Sequence, residues 1–378
     1  MKEHLLKIGS YILVAALATA LTLQFYPDGG KLTELEGLIE ERFIGEAETK
    51  KLEDAAAAAM VKATGDRWSY YMTAEDYESY LEQVNNSYVG IGVTIQLEAE
   101  EGYRILEVTA SGPAEEAGIQ LGDLLFEVEG QDVRKMEITE VRNLVKGKEG
   151  TFVKLRVLRK GEPLSFTVER RKVETPVATH EMLDGNVGLV SIVNFDSRCA
   201  EESVTAIETL RRQGAKAIIF DVRYNPGGYA DELVELLDYL LPEGDLFRTV
   251  RYDGKEHVDT SDERFLDMPM AVLVNGSSYS AAEFFAAALR EYDAAVVIGE
   301  QTVGKGYFQT TYPLSDGSAV ALSIGKYYTP LGVNLSEAGG LTPDLVIPMD
   351  EETEAALYYG TLPREEDPHI MAAVEKLS

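Results

Sequence analysis

The rhythm of hydrophobic and polar positions changes several times along the chain, and each change predicts a different kind of structure. From Ile8 to Phe25 the residues are almost continuously apolar, with polar breaks only at Ser10, Thr19, Thr22 and Gln24; that length suits a bilayer core. Between Lys31 and about Gln83 the apolar residues take up helical spacing. Leu35, Leu38, Ile39 and Phe43 fall at i, i+3, i+4 and i+8, and residues 54–60 form an alanine-rich run, which together predict a helical arm. From about Asn86 to Lys172 alternation with period two takes over: 92–97, 103–108, 123–130, 152–158 and 164–169 read as strands. Short helices are predicted at 113–118 and at 138–145, the latter with Ile138, Val141 and Leu144/Val145 on one face. From about Val173 to Pro348, buried-type strands (186–194, 216–222, 270–274, 294–298) alternate with helices (201–213, 230–241, 281–292), the pattern of an α/β domain. The resulting domain series is 1–30 signal segment, 31–85 helical arm, 86–172 β domain, 173–350 α/β core and 351–378 an acidic C-terminal segment expected to pack late or stay mobile.

The N-terminus addresses location. Lys2 and Lys7 precede the apolar run, as in a signal peptide or signal anchor. Ala18-Thr19-Ala20 resembles a small-x-small cleavage site, but Leu21, Leu23 and Phe25 continue the run past it, which favours an uncleaved anchor. Lysines on the N-terminal side place the rest of the chain outside the cytoplasm. The expected location is therefore the bacterial cell envelope, membrane-anchored through residues 8–25, or secretion if the signal is cleaved. The 378 residues exceed one compact core, and the 45% hydrophobic content is enough for ordinary cores. A formal charge of -30, from 65 acidic and 35 basic residues, argues against nucleic acid as a partner. The single cysteine, Cys199, rules out an intrachain disulfide, and no Cys or His is spaced for zinc. Neither a metal nor a cofactor is expected.

Two segments carry candidate chemistry. The strand Val272-Leu273-Val274 runs into Asn275-Gly276-Ser277-Ser278-Tyr279-Ser280, and a helix begins at Ala281. A serine at such a turn sits beside free helix N–H groups and the positive end of the helix dipole, which favour a developing oxyanion. Three serines compete for the role, and Glu283 also completes an ordinary capping-box pattern. The second segment is Thr302-Val303-Gly304-Lys305-Gly306, with Gln309 four residues beyond the lysine. A lysine between two glycines can be packed closely into a site. Burial favours the neutral amine that a general base requires, and Gln309 is placed to orient it. None of the four histidines, His4, His180, His257 and His369, neighbours a candidate nucleophile in sequence.

Family resemblances sharpen this picture. Tyr88-Val89-Gly90-Ile91-Gly92-Val93, followed by Ser111-Gly112-Pro113-Ala114 and Leu121-Gly122-Asp123, resembles a PDZ domain. That resemblance implies a partly open β-barrel capped by helices, in which Val89, Gly90, Ile91, Gly92 and Val93 hold a C-terminal carboxylate and the edge strand accepts the peptide. Asp221-Val222-Arg223-Tyr224-Asn225-Pro226-Gly227-Gly228, the nucleophile block 272–283, the lysine block 302–309, and the closing segments 326–332 and 340–344 resemble the C-terminal processing (tail-specific) serine proteases. The resemblance spans about residues 31–350. It implies an α/β, crotonase/ClpP-like protease core with an inserted PDZ domain and an N-terminal helical arm. By position it makes Ser280 the nucleophile, Lys305 the general base and Gln309 its orienting partner. The Ala281 N–H with that of Gly227 or Gly228 would form the oxyanion hole, and Asp221 and Arg223 would brace the glycine loop. Tyr279 departs from the small residue usual in the family. The implied activity is endopeptidase cleavage of protein substrates near their C-termini through an acyl-enzyme, with the PDZ domain catching the tail and gating the site. The competing readings are an inactive PDZ scaffold that binds C-termini, and a crotonase-like hydrolase or isomerase of small acyl substrates, against which the PDZ insertion argues. The helical arm is the candidate surface for homo-oligomer formation.

Overall fold

The computed structural model describes residues 30–98 and 101–377. The apolar segment 8–25 lies outside the described residues, and no described helix is long and apolar enough to cross a membrane. The described residues divide into two compact units, one formed by those up to Tyr77 with Gln309–Ser323, the other by those from Glu78 to Phe308 with those from Ile324 on.

In the first unit, helices Lys31–Arg42 and Thr49–Lys62 bury none of their residues. The stretch read as helical throughout is interrupted by a strand, Tyr70–Met72, antiparallel to residues 319–321. Tyr70-Tyr71 are strand formers, and the Tyr71 hydroxyl donates to Asp54 at 2.6 Å, tying the strand to the second helix.

The second unit holds two sheets that matter for function. The first has strand order Val93–Glu98, Gly102–Val108, Leu124–Val128, Phe152–Arg159, Glu162–Glu169, so Val93–Glu98 is an edge strand. Tyr103, Ile105, Val128, Val153, Leu155 and Val157 fill its core. Helix Ile138–Val145 adds Val141 to that core and starts with a Glu137/Glu140 capping box. Its last carbonyls, Leu144 and Val145, accept from the Arg170 guanidinium. The neck of this domain is a two-stranded ladder, Ser87–Gly90 against Arg171–Glu174, with Gly90 opposite Arg171.

The second sheet has the order Ala178–Leu183, Val187–Ile192, Ala217–Asp221, Met270–Val274, Ala295–Gly299, Leu345–Val346. The first pair is antiparallel and every later pair parallel. Both faces are covered, which explains the unbroken apolar run Met270–Val274. Helices Cys199–Gln213, Ala230–Leu240 and Ala281–Glu291 pack on one face, and helix Pro368–Leu377 packs on the other. The acidic C-terminal segment thus does not stay loose. It forms helices Glu351–Tyr358 and Pro368–Leu377, and Ile370, Ala373, Val374 and Leu377 repeat at helical spacing onto the sheet.

Candidate active site

Parallel α/β sheets build sites beyond the carboxyl ends of their strands. Here four consecutive parallel strands end in the loops 193–198, 222–229, 275–280 and 300–306.

The serine loop is tightly specified. The Ser278 hydroxyl donates to Val222 O at 2.7 Å and accepts from the Asn275 amide at 3.0 Å, fully buried, so it is structural. Ser277 is exposed. Ser280 immediately precedes helix Ala281–Glu291 and holds φ 59°, ψ −127°, a strained conformation for a residue with a Cβ. This is the geometry of a strand–turn–helix elbow that presents a nucleophile at a helix N-terminus. The following helix buries every residue from Ala281 to Leu289, so the elbow stands on a rigid base.

Glu283 joins the serine and lysine loops. It is fully buried. Its Oε2 accepts from the backbone amides of Ser280 (2.9 Å) and Lys305 (2.8 Å). Its Oε1 accepts from the Gly304 amide (2.7 Å) and the Thr302 hydroxyl (2.5 Å). One oxygen atom thus sits within hydrogen-bond distance of the amides of both candidate catalytic residues. The sequence pattern marked Glu283 only as a cap; its second set of partners lies about twenty residues on and leaves no local trace. The glycines flanking Lys305 are there for close packing: a Cβ on Gly304 would lie 2.8 Å from Gly340 N, and one on Gly306 2.6 Å from the Asn334 amide. Lys305 is half-buried, its Nζ 5.6 Å from the centre of the Tyr279 ring, a cation–π distance. The bulky residue that departs from the family pattern therefore faces the lysine. Gln309 belongs to the first unit, where its amide donates to Ser323 Oγ at 3.0 Å.

The glycine loop abuts the serine. A Cβ on Gly227 would lie 2.7 Å from Ser280 Cβ and 2.8 Å from Ala281 N, and one on Gly228 would lie 2.2 Å from Phe195 C. Only glycine fits either place. The Gly227 amide donates to Asn225 Oδ1 at 2.8 Å, which commits it within the loop. Phe195 N donates to Gly227 O and Tyr229 N to Phe195 O, each at 2.8 Å, so one peptide strand clasps Gly228 on both sides. Below the loop, Arg223 pairs with Asp221 (2.6 Å) and Asp367 (2.8 Å); the Arg223 and Asp367 side chains are buried and that of Asp221 is largely so. Burial alone would raise the Asp221 pKa, but the Arg223 guanidinium overrides it and holds the carboxyl below the ordinary range. The ion pairs brace the loop from beneath.

One buried acid here was not singled out by the sequence. Asp196, next to the clasping Phe195, has its pKa pushed up to about 7, first by burial and then by the neighbouring Glu232. Its charge also reaches Tyr279, whose phenol is raised chiefly by burial. The described histidines lie elsewhere. His180 is exposed on a strand, His257 contacts Asp259 at 3.0 Å, and His369 is buried against Ile347 O and Arg223.

A second concavity lies along the edge strand of the first sheet. It is a cavity of about 630 Å³ between Val93–Glu98 and Ile138–Val145. Gly90, Ile91, Gly92 and Val93 line it; Val89 does not, because Tyr88 and Gly90 on either side of it face the cavity and successive strand residues face opposite ways. Ile95, Ile138 and Val145 supply apolar wall, and Lys146, paired with Glu82 at 2.5 Å, lies at the end of the helix.

An elbow serine at a helix N-terminus, beside a loop-borne lysine and a Cβ-free glycine turn, defines a serine hydrolase site. Comparison with known proteins identifies the kind. The family model described as "Peptidase family S41" matches residues 186–347, and one described as "PDZ domain" matches residues 104–159. The chain is 32% identical to the carboxy-terminal processing protease CtpA of Bacillus subtilis (strain 168), over 90% of this chain and 76% of that one. It is 35% identical to a probable CtpA-like serine protease of Staphylococcus haemolyticus (strain JCSC1435), over 79% of this chain and 60% of that one. Among solved structures, a putative S41 protease from Bacteroides fragilis NCTC 9343 shares the fold, with a TM-score of 0.54 and 19% identity over 84% of this chain and 89% of that one. The chain belongs to peptidase family S41: it is a serine peptidase of the CtpA-like, C-terminal processing kind and carries a PDZ domain.

Proposed function

We propose that the protein cleaves protein substrates near their C-termini, with Ser280 as nucleophile and Lys305 as general base. The observation that carries this reading is the single Glu283 oxygen that receives both the Ser280 and Lys305 amides. It holds the strained elbow and the lysine loop in one rigid frame. Lys305 takes the Ser280 proton as Oγ attacks the scissile carbonyl. The carbonyl oxygen, now an anion, is held by the Ala281 amide at the helix N-terminus and by Gly228; Gly227 is spent on Asn225. Collapse expels the amine product, which takes the proton from Lys305, and water then hydrolyses the acyl-enzyme by the reverse sequence. Gln309 is assigned to orienting the lysine amine. A neutral lysine base means activity that rises from neutral to mildly alkaline pH.

The groove between Val93–Glu98 and Ile138–Val145 supports the PDZ role: an edge strand to pair with the tail, the Gly90–Gly92 turn at its end for the tail carboxylate, and an apolar wall. Support for a crotonase/ClpP-like core comes from the parallel sheet with the site at its strand ends, and support for a barrel-like PDZ from its six-stranded antiparallel sheet with helices Pro113–Glu116 and Ile138–Val145 packed on it. The lysine-flanked apolar segment 8–25 supports anchorage in a bacterial membrane with the catalytic part outside the cytoplasm. Protease digestion of intact spheroplasts checks the location, since an outside domain is degraded without lysis.

The activity test incubates the full chain with an unfolded protein ending in an apolar tail, beside Ser280→Ala and Lys305→Ala. Cleavage by the parent that is lost in both variants is expected. Equal cleavage by Ser280→Ala removes the nucleophile assignment, and tail binding without cleavage by the parent indicates a scaffold.

A further inference from the structure

Asp196 is a buried acid that the mechanism above does not use. It is 5% exposed. Among the described residues nothing donates a hydrogen bond to its carboxylate, and no lysine or arginine pairs with it. The cation nearest in sequence is committed elsewhere: the Arg198 guanidinium donates to Glu202 (2.8 Å), Asn85 O (3.1 Å), Asn86 O (3.2 Å) and Thr175 O (2.7 Å). A buried charge without a partner is costly, and a perturbed acid beside reactive groups marks a functional site. The Asp196 oxygens are not closed off either. The described side-chain atoms that are both sealed from solvent and without a partner are Arg171 Nε and Asp367 Oδ2. The oxygens of Asp196 have no partner and are not among these, so solvent reaches them. The carboxyl lies at the foot of a narrow opening, not inside the core.

Its place relative to the reacting atoms follows from its neighbours. On one side is Gly228, whose N–H is assigned to the oxyanion; a Cβ there would lie 2.6 Å from Asp196 N. On another is Tyr279, the residue before Ser280, whose phenol is pushed up by burial and then by the Asp196 charge. Helix Ala230–Leu240 contributes Glu232, which accepts from Arg198 N (3.0 Å) and Ala200 N (2.9 Å). Helix Cys199–Gln213 contributes the buried Cys199, whose thiol burial pushes up and keeps neutral. All of these residues belong to the second unit. The substrate residue that carries the scissile carbonyl rests against the same landmarks, because its carbonyl oxygen lies between the Gly228 and Ala281 amides. Its side chain therefore leaves the backbone beside Asp196.

We propose that Asp196 is a specificity-determining residue, whose carboxylate receives a lysine or arginine side chain from the substrate residue that carries the scissile carbonyl. This rests on the Ser280 and oxyanion assignments made above. Charge says which side chain fits. Asp196 and Glu232 are both acids, so a basic side chain supplies the missing cation and N–H donors, and an acidic one meets like charge. Burial and then Glu232 bring Asp196 up to about 7. The carboxyl is thus neutral in acid and charged in the mildly alkaline range where a neutral Lys305 works. The preference for a basic side chain is complete above that range's lower edge and is lost as pH falls through 7. Lys305, over the Tyr279 ring, titrates as well and opposes a basic side chain only when protonated.

The test uses the full chain and two tripeptide aldehydes that differ only in the last side chain, acetyl-Ala-Ala-lysinal and acetyl-Ala-Ala-norleucinal. Attack by Ser280 on the aldehyde fixes that residue at the scissile position, and norleucine keeps the methylene stem of lysine without its charge. The readout is the ratio of the two Ki values, in which changes common to both cancel. In the parent at pH 8 the lysinal binds at least tenfold more tightly than the norleucinal, and at pH 5.5 that ratio falls at least fivefold. In Asp196→Asn the ratio at pH 8 is within threefold of one and changes less than twofold with pH. A merely structural role would move both Ki values together and leave the ratio alone. Equal Ki values in the parent at pH 8, or a lysinal preference that Asp196→Asn keeps, would overturn the assignment while the nucleophile stands. An equal fall with pH in both proteins would hand the effect to Lys305 and overturn the role of the Asp196 charge. Inhibition by neither aldehyde of a parent that cleaves protein removes the nucleophile reading and this proposal with it. Should Asp196→Asn fail to fold, Asp196→Ser is read by the same criteria.

Discussion

Glu283 is a buried carboxylate whose hydrogen bonds run to two different loops, and the consequence of changing it follows from that division. Glu283→Gln keeps the volume but replaces one acceptor oxygen by a donor, which must then face an amide or hydroxyl that also donates. Leaving such a donor unsatisfied costs about 1–3 kcal/mol, and relaxation moves the serine loop away from the lysine loop. A misplacement of about 1 Å in a reacting pair costs on the order of 100-fold in rate. The expected outcome is a kcat lowered about 10- to 100-fold with KM little changed; a kcat within twofold of the parent would show that the frame does not depend on the carboxylate. Asp196 makes a prediction of another kind. Its pKa of about 7 lies above the ~3.9 of an unfolded aspartate, so the fold favours its neutral form. The stability it contributes is complete below about pH 4 and is lost as pH rises through 7. Asp196→Asn stays neutral throughout. Its melting temperature should pull ahead of the parent's between pH 5 and pH 8, by about 1–4 °C for about 1–3 kcal/mol in a chain of this size. A gap that does not change with pH would mean that Asp196 is already ionised in the fold. Ser280 and Lys305 stand out in the sequence as candidates because each sits in a dense local motif. Glu283's second role and Asp196 were not, because long-range partners and burial define them.

At the scale of elements, periodicity was a good guide wherever one face of an element packs and the other does not. The edge strand Val93–Glu98 and the helix Ile138–Val145 both follow it, and together they wall the groove. Tyr70–Met72 was missed because three residues are too few to show a period, and its partner lies about 250 residues on. The helix Pro368–Leu377 was missed because the acidic residues before it drew the whole tail into one reading, although Ile370, Ala373, Val374 and Leu377 keep helical spacing. The groove allows a specific test. Its wall combines the start of the edge strand with Ile138, and the end of the helix is held through Arg170, whose neighbour Arg171 pairs with Gly90. A carboxylate at Gly90–Gly92 therefore lies by the helix C-terminus, while Ile138 and Ile95 border a pocket farther along. Side chains of an added strand enter such pockets at every second position. Ile138→Asp should weaken binding of a tail peptide with an apolar third-from-last residue at least tenfold, measured by fluorescence polarisation. It should weaken a tail with serine there by a much smaller factor. Equal weakening of both tails would place Ile138 outside the pocket.

At the scale of the whole molecule, the helical arm is the part whose sequence promises more than its described surroundings deliver. Leu32, Leu35 and Leu38 line one stripe of helix Lys31–Arg42, yet each is 45–52% exposed; Phe43 and Ile44 beyond it are more exposed still. Five large apolar residues within thirteen positions make a patch of the sort that in soluble proteins marks an interaction site. The partner we propose is a second copy of the same arm, since an amphipathic helix with an open stripe can pair with itself around a two-fold axis, the commonest symmetry of oligomers. The net charge of -30 opposes any such association through long-range repulsion, and salt screens that repulsion within about 10 Å at 0.1 M. Self-association held by the leucine stripe should therefore strengthen, not weaken, as salt rises from 50 to 500 mM. Sedimentation velocity on the full chain in detergent is expected to show a dimer whose share grows with salt, and Leu35→Glu with Leu38→Glu is expected to leave a monomer at every salt concentration with peptidase activity per chain retained. A parent that stays monomeric across the salt range would mean that the stripe is covered in some other way. A dimer that survives both substitutions would move the interface off the arm.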